Sequence, residues 1–171
     1  MNLQADDFAL FGLARQFSQD RSQIDARWKA LQREAHPDKF AAQGDAAQRL
    51  AMQWSVRINE AYQRLKDPLK RAAYLCELAG APVNAHSNTA MPPQFLMQQM
   101  EWREALDDAD SAEALDALLD TVQASRKHLL EQCEALLDGQ QDTAAAVDTV
   151  RALMFIDKFA HDLHQRMERF E

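Results

Sequence analysis

Two groups capable of acid–base chemistry stand two residues apart in this chain, in the tripeptide His36-Pro37-Asp38. An imidazole and a carboxylate can transfer protons, but general acid–base catalysis also needs a pocket that shifts pKa values and excludes water. Pro37 pushes His36 out of the helical backbone region, so we expect the tripeptide between two helices, at the tip of their hairpin. A hairpin tip offers no such pocket, so this position favours presentation to a partner over catalysis.

Other residues with catalytic or metal-binding chemistry are few and scattered. The sequence has no nucleophile elbow, no glycine-rich phosphate loop and no HExxH segment. Cys76 and Cys133 lie far apart in apolar segments, without a CxxC pair, so we predict buried, reduced thiols. His161 and His164 could share a metal on one helix face, but no third ligand accompanies them. We therefore expect no metal, no cofactor and no enzymatic activity; a small hydrolase using the tripeptide is the enzyme alternative.

The composition indicates a folded, mainly helical protein. The chain has 171 residues, 47% of them hydrophobic, and only four glycines. No stretch has the ~18 consecutive apolar residues of a membrane span, and the amino-terminal residues lack a targeting pattern, so we expect a cytoplasmic protein without membrane partners. Residues 1–79 carry 12 basic and 10 acidic side chains, whereas residues 80–171 carry 7 and 17. This asymmetry predicts different partners for the two halves and argues against nucleic acid at the acidic half.

Two long helices are predicted on either side of the tripeptide. Apolar residues three and four apart indicate one helix that ends at Ala35 and a second from about Asp45 to Lys66. Their apolar stripes should pack against each other and form an antiparallel hairpin. Short helices over residues 8–11 and 69–78 flank this hairpin. The predicted stripes are Ile24, Trp28, Leu31 and Ala35 in the first helix, and Leu50, Trp54, Ile58, Ala61, Tyr62 and Leu65 in the second.

The second half is predicted to be a bundle of three helices. Residues 80–93 contain three of the five prolines and no charged side chain, which marks a linker. Helices should follow over residues 94–108, over residues 110–139 with an Asp110/Glu113 capping box, and from about residue 142 onward. The predicted seam of the last helix consists of Leu153, Ile156, Ala160, Leu163, Met167 and Phe170. The predicted fold class is therefore all-α.

Basic side chains on the helix before the tripeptide have three interpretations. Lys29 and Arg33 lie four apart on one face, and Arg27 lies on the same helix. Together they could steer an acidic partner protein toward the tripeptide. They could also be solvated surface charges, with Pro37 serving only to end the helix. A nucleic-acid site is the third alternative, although three charges make a small footprint.

The first helix after the linker carries a second candidate binding surface. Phe95, Trp102 and Leu106 share one face and should be core. An apolar patch lies beside that face and is bordered by carboxylates, which would suit a basic and partly apolar partner. Burial of all these apolar residues in the core is the alternative. The patch consists of Leu96, Met97 and Met100, with Phe155 from the last helix, and its acidic border consists of Glu101, Glu104 and Asp108.

Several segments together carry a family resemblance. They are Leu10-Phe11-Gly12-Leu13, His36-Pro37-Asp38-Lys39-Phe40, Ile58-Asn59-Glu60-Ala61-Tyr62, Asp67-Pro68-Leu69, Arg71-Ala72-Ala73-Tyr74-Leu75 and Phe155-Ile156-Asp157-Lys158. With them the chain resembles, over nearly its whole length, the HscB-type J-domain co-chaperones of iron–sulfur cluster assembly. Phe40 after the tripeptide and its lysine, and Leu75 after Tyr74, distinguish this family from J-domains in general.

The resemblance implies a J-domain at residues 1–79, a linker at 80–93 and a three-helix scaffold-binding domain at 94–171. It implies that an HscA-type, DnaK-like chaperone docks on His36, Pro37 and Asp38, steered by Arg27, Lys29 and Arg33, and that its ATPase is stimulated. An IscU-type scaffold would be held by Leu96, Met97, Met100, Glu101, Glu104, Asp108 and Phe155, and its cluster would pass to acceptor proteins. A J-domain co-chaperone for a different client is the nearest alternative.

Three positions depart from the family pattern. Asp108 stands where members often have the longer Glu, and Ala14 stands where Pro often occurs. Asp7 replaces the usual aromatic residue before Phe8. Ala14 and Asp7 concern the packing of the first helix and leave the tripeptide unchanged.

Overall fold

The computed structural model describes residues 2–83 and 91–170, and all regular structure in these ranges is helical. The helices are α1 (Asp7–Phe11), α2 (Arg21–Ala35), α3 (Asp45–Lys66), α4 (Pro68–Leu78), α5 (Pro93–Asp108), α6 (Ala112–Glu134) and α7 (Thr143–Glu168). A 3-10 helix, Pro37–Gln43, follows α2, and a π-helical turn, Ala135–Gly139, extends α6. The predicted all-α class is confirmed. Within the described ranges, no helix is both long enough and apolar enough to span a membrane.

The chain divides into two compact units, Met1–Leu75 and Cys76–Glu171, and the boundary falls inside α4. The domain limits expected from the sequence, with a linker at residues 80–93, stay a prediction. Residues 84–90 of that linker lie outside the described residues.

The first unit is built on the antiparallel pairing of α2 and α3. Ile24 of α2 and Ile58 of α3 are fully buried between them. The Trp28 indole stacks on the Tyr62 ring with centroids 4.5 Å apart, and its Nε1 donates a hydrogen bond to Asn59 Oδ1 at 2.9 Å. These contacts confirm the predicted hairpin.

The predicted stripe of α3 is wrong at its first position. The Leu50 side chain is 49% exposed, and Ala51 occupies the buried face instead. Successive residues of an α-helix are rotated by about 100°. Of the two neighbours, Ala51, seven residues before Ile58, therefore shares the buried face, and Leu50 does not.

The second unit has its own core between α6 and α7. Leu115, Val122 and Leu129 of α6 repeat every seven residues and are buried, as are Leu153 and Ile156 of α7. This arrangement confirms the three-helix bundle. The predicted seam of α7 is wrong at two positions: Phe159 is buried where Ala160 was expected, and the exposed Phe170 lies beyond the last helical residue.

The predicted start of α6 is also wrong. The Ser111 hydroxyl oxygen accepts a hydrogen bond from the backbone N–H of Ala114 at 3.1 Å. Ser111 is therefore the N-cap, α6 begins at Ala112, and Glu113 is not at the position that a capping box requires.

A buried ion-pair cluster attaches α1 to α3. The Asp7 carboxylate is fully buried, with Oδ1 2.7 Å from Arg57 Nη1 and Oδ2 accepting a hydrogen bond from Arg64 Nε at 2.6 Å. The Asp7 backbone N–H donates to the Tyr74 hydroxyl at 3.0 Å. The hydrogen bond from Arg64 to Asp7 raises the pKa of the Arg64 guanidinium. Position 7, where the resemblance leads one to expect an aromatic residue, thus carries a carboxylate with two cationic partners.

We expect Asp7→Asn to lower the free energy of unfolding by roughly 3 kcal/mol, because two partly buried guanidinium groups would lose their counter-charge. The matched control is Asp6→Asn. The Asp6 side chain caps α1 by accepting from the backbone N–H of Ala9 at 2.8 Å, and Asn serves as well as Asp in this role. Denaturant unfolding followed by circular dichroism measures both changes, and equal stabilities of the two variants would contradict the assignment.

The two cysteines are buried and reduced, as predicted. Burial raises the pKa of the Cys76 thiol to about 11 and that of the Cys133 thiol to about 12, from an ordinary value of 9.0. The folded state therefore keeps its thiol protons above pH 9, where the unfolded state loses them. This contribution to stability is fully present below pH 9 and is lost as the pH rises to about 12.

We expect the native thiols to resist a disulfide-exchange reagent at neutral pH and to react fully after denaturation. The unfolding free energy should also fall more steeply above about pH 9 than that of the Cys76→Ala/Cys133→Ala double variant. Both proteins have the same lysine and tyrosine side chains, so the titration of these groups cancels in the difference between the two unfolding free energies. Parallel pH profiles would show that thiol burial makes no such contribution.

Candidate functional site

The tripeptide is held in a defined geometry at the end of α2. His36 has extended backbone angles, φ −62° and ψ 128°, as the following proline requires. His36 Nδ1 accepts a hydrogen bond from the backbone N–H of Asp38 at 3.2 Å and thereby caps the 3-10 helix. Since Nδ1 accepts, the ring proton of the neutral imidazole is assigned to Nε2. The three residues are therefore ordered by their own hydrogen bond and by proline.

Solvent exposure argues against catalysis by this pair. The Asp38 side chain is 92% exposed and that of His36 is 57% exposed, with Asp38 Oδ2 3.6 Å from His36 Nδ1. Side chains so accessible to water do not have the enclosed surroundings that acid–base catalysis needs. The geometry instead presents the Asp38 carboxylate for an approaching cationic group.

Two of the three predicted basic residues lie in line with the tripeptide. Lys29 and Arg33 are exposed on α2, and Arg33 Nε donates to the Lys29 carbonyl at 3.4 Å. Arg33 follows Lys29 by four residues, so both lie on one side of α2, and Arg33 precedes His36 by three residues. The Arg27 guanidinium lies elsewhere, 3.7 Å from the position that a Cβ on Gly12 would occupy.

The second candidate surface is formed by exposed apolar side chains of α5. Leu96, Met97 and Met100 are 46%, 64% and 73% exposed, whereas Trp102 and Leu106 are buried. The alternative left open by the sequence, that Leu96, Met97 and Met100 are core residues, is therefore wrong. Such a concentration of large exposed apolar side chains on one helix is typical of a binding surface.

A cleft of about 650 Å³ lies next to this surface, within the second unit. Of the predicted residues, it brings together Met100, Glu104, Asp108 and Phe155; Leu96, Met97 and Glu101 are not among its lining residues. Phe155 is half-buried, and its ring centroid lies 6.2 Å from that of the buried Phe159. The contact anchors the Phe155 ring at the cleft.

The cleft has a net acidic lining. Arg103 also lines it, but its Nη1 lies 3.2 Å from Asp162 Oδ2, which offsets the positive charge. Asp107 adds a third carboxylate to those of Glu104 and Asp108. Sequence analysis missed Asp107, although its spacing of three from Glu104 and seven from Met100 places it on the same side of α5. The lining therefore suits a basic partner.

In the parts of the chain that the structure describes, no three His, Cys, Asp or Glu side chains are grouped so that they could hold an ion.

Comparison with known proteins gives a consistent result. Residues 91–164 match the family model described as the HSCB C-terminal oligomerisation domain. The chain is 49% identical to the Co-chaperone protein HscB homolog of Burkholderia multivorans over 174 aligned residues, which cover 100% of this chain and 99% of that protein. The homologue of Burkholderia cenocepacia is 48% identical with the same coverage.

Solved structures show the same likeness over the whole fold. The chaperone HscB from Vibrio cholerae superposes with a TM-score of 0.85 at 38% identity, covering 98% of this chain and 100% of that one. Human co-chaperone protein HscB superposes with a TM-score of 0.90 at 26% identity, covering 96% of this chain and 83% of that one. Identity near one half over the full length, together with this fold, shows that the chain belongs to the HscB family of co-chaperones.

Proposed function

We propose that the protein is an adaptor that binds an IscU-type iron–sulfur scaffold and delivers it to an HscA-type, DnaK-like chaperone. By stimulating the chaperone's ATPase it would promote cluster transfer and the maturation of iron–sulfur proteins. The observation that carries the proposal is the exposure of Leu96, Met97 and Met100 beside an acidic cleft, in a unit whose core is complete without them. The adaptor itself performs no chemical step.

The chaperone end of the adaptor is the tripeptide. Asp38 is the charge that the partner recognises, and its exposed carboxylate can pair with a cation without any rearrangement of the first unit. Lys29 and Arg33 add long-range attraction for an acidic surface of the chaperone, and Arg27 contributes more weakly because it lies over the end of α1.

The scaffold end combines apolar contact with charge. Leu96, Met97, Met100 and Phe155 supply apolar area, and flexible methionine side chains adapt to irregular partner surfaces. The border of Glu101, Glu104 and Asp108 suits basic side chains of the scaffold, which affects the association rate more than the lifetime of the complex.

Covalent connection of the two ends is sufficient for delivery. A scaffold bound at one end and a chaperone bound at the other are held at a high effective concentration for each other. No conformational signal between the two units is needed. A J-domain co-chaperone for another client would share the chaperone end and differ only in what the α5 surface binds.

Replacing Asp38 by Asn tests the chaperone end, since the change is close to isosteric and removes one charge. We expect normal thermal unfolding, because the side chain is 92% exposed, and loss of ATPase stimulation. Asp45→Asn, the same change at another exposed aspartate in the first turn of α3, should retain full stimulation. Wild-type stimulation by the Asp38 variant would disprove the docking of a chaperone on the tripeptide.

Replacing Leu96, Met97 and Phe155 together by Ala tests the scaffold end. We expect scaffold affinity to fall at least about 100-fold, since buried apolar anchors dominate interface energies, while stimulation of the chaperone by the adaptor alone is unchanged. Met52→Ala/Val56→Ala is the matched control, because it removes exposed apolar area from α3. Calorimetric titration measures the affinity of the triple variant and of the control for the scaffold. An unaltered scaffold affinity of the triple variant would mean that the α5 surface binds another client.

A further inference from the structure

A second cleft, of about 210 Å³, lies directly beside the tripeptide in the first unit. Its walls include Ala35, the last residue of α2, and Phe40, two residues after Asp38. Leu50, Ala51 and Trp54 of α3 also line it. This cleft is separate from the acidic cleft of the second unit.

The walls of this cleft are mostly apolar, and part of their surface is exposed. Ala35 and Ala51 are buried, Phe40 and Trp54 are half-buried, and Leu50 is 49% exposed. An apolar cavity of ~150 Å³ is already large enough for a benzene molecule, so this cleft can hold one aliphatic or aromatic side chain. Filling it would remove the remaining exposed apolar area of its walls from water, which favours binding.

The position of the cleft determines its occupant. Ala35 immediately precedes His36, and Phe40 follows Asp38 by two residues, so a protein that docks on the tripeptide lies next to the cleft. Carboxylates occur in and near it: Glu34 is among the lining residues, and the exposed Asp38 precedes the lining residue Phe40 by two positions. Such surroundings favour an apolar residue next to a cationic one.

We propose that the cleft takes one apolar side chain of the DnaK-like chaperone, adjacent in that protein to the cation that pairs with Asp38. This inference rests on the proposed function, and it adds an apolar anchor to a docking site otherwise made of charges. The anchor would determine affinity, whereas Asp38 would determine whether the bound chaperone is stimulated.

Filling the cleft tests the inference. Ala47 lines it from the first turns of α3, and Ala47→Leu would occupy the space of the incoming side chain. We expect the adaptor concentration that gives half-maximal ATPase stimulation to rise about tenfold, as for the loss of a moderate interface anchor, with maximal stimulation retained. Ala46→Leu is the matched control, because it makes the same change one residue away at an exposed position outside the lining.

A second variant guards against an indirect effect of packing. Leu50→Gln keeps the size of an exposed side chain and makes one wall polar, so it should raise the half-maximal concentration without lowering the thermal unfolding temperature. The apolar anchor would be overturned if Ala47→Leu and Leu50→Gln both kept the half-maximal concentration of the wild type while Asp38→Asn was inactive. The proposed function would then remain intact. Full stimulation by Asp38→Asn would overturn both.

Discussion

The packing of α2 against α3 determines where the tripeptide lies, and the chaperone-docking surface proposed above depends on it. Ile24, Ile58 and Leu65 are fully buried, and complete burial of such a side chain contributes roughly 1.5–3 kcal/mol. The stack of Trp28 on Tyr62 adds an aromatic contact near the middle of the pair. With the helices fixed in this way, the chain must reverse direction after Ala35. The tripeptide therefore lies at the end of the pair, where the Asp38 carboxylate stays in water.

In the proposed scaffold-binding surface, the three apolar side chains of α5 stay outside the core. In the second unit, Trp102 packs near Phe159 with ring centroids 5.6 Å apart, so α5 is attached to α7 without help from its exposed methionines. The packing of α5 therefore does not require apolar side chains at Leu96, Met97 and Met100. Exposed apolar area of this kind has a cost in solubility, which the many surrounding carboxylates offset.

Periodicity in the sequence was sufficient to predict the helices but not the exact residues of each buried face. The hairpin and the bundle followed from apolar residues three and four apart, and Pro37 correctly marked the end of α2. The errors at Leu50 and Ala160 each concern a neighbour of the buried residue. Because a helix has about 3.6 residues per turn, spacings of both three and four fit one face, so the pattern alone does not distinguish adjacent positions. The cleft beside Phe40 could not be predicted at all, since its walls come from α2, the 3-10 helix and α3. The roles of individual site residues, which rest on the family resemblance, stay predictions.

A charge on the surface cannot by itself hold a partner. An exposed ion pair contributes only about 0–1 kcal/mol, because water screens both charges and holding two side chains in one geometry costs entropy. The Asp38 carboxylate therefore needs neighbouring contacts that exclude water when the partner binds. An apolar side chain in the cleft would provide them, because a lower local dielectric strengthens the attraction between Asp38 and its cation. In the proposed complex the cleft and the carboxylate would therefore act together: apolar burial would supply affinity, and the Asp38 charge would determine whether the bound chaperone is stimulated.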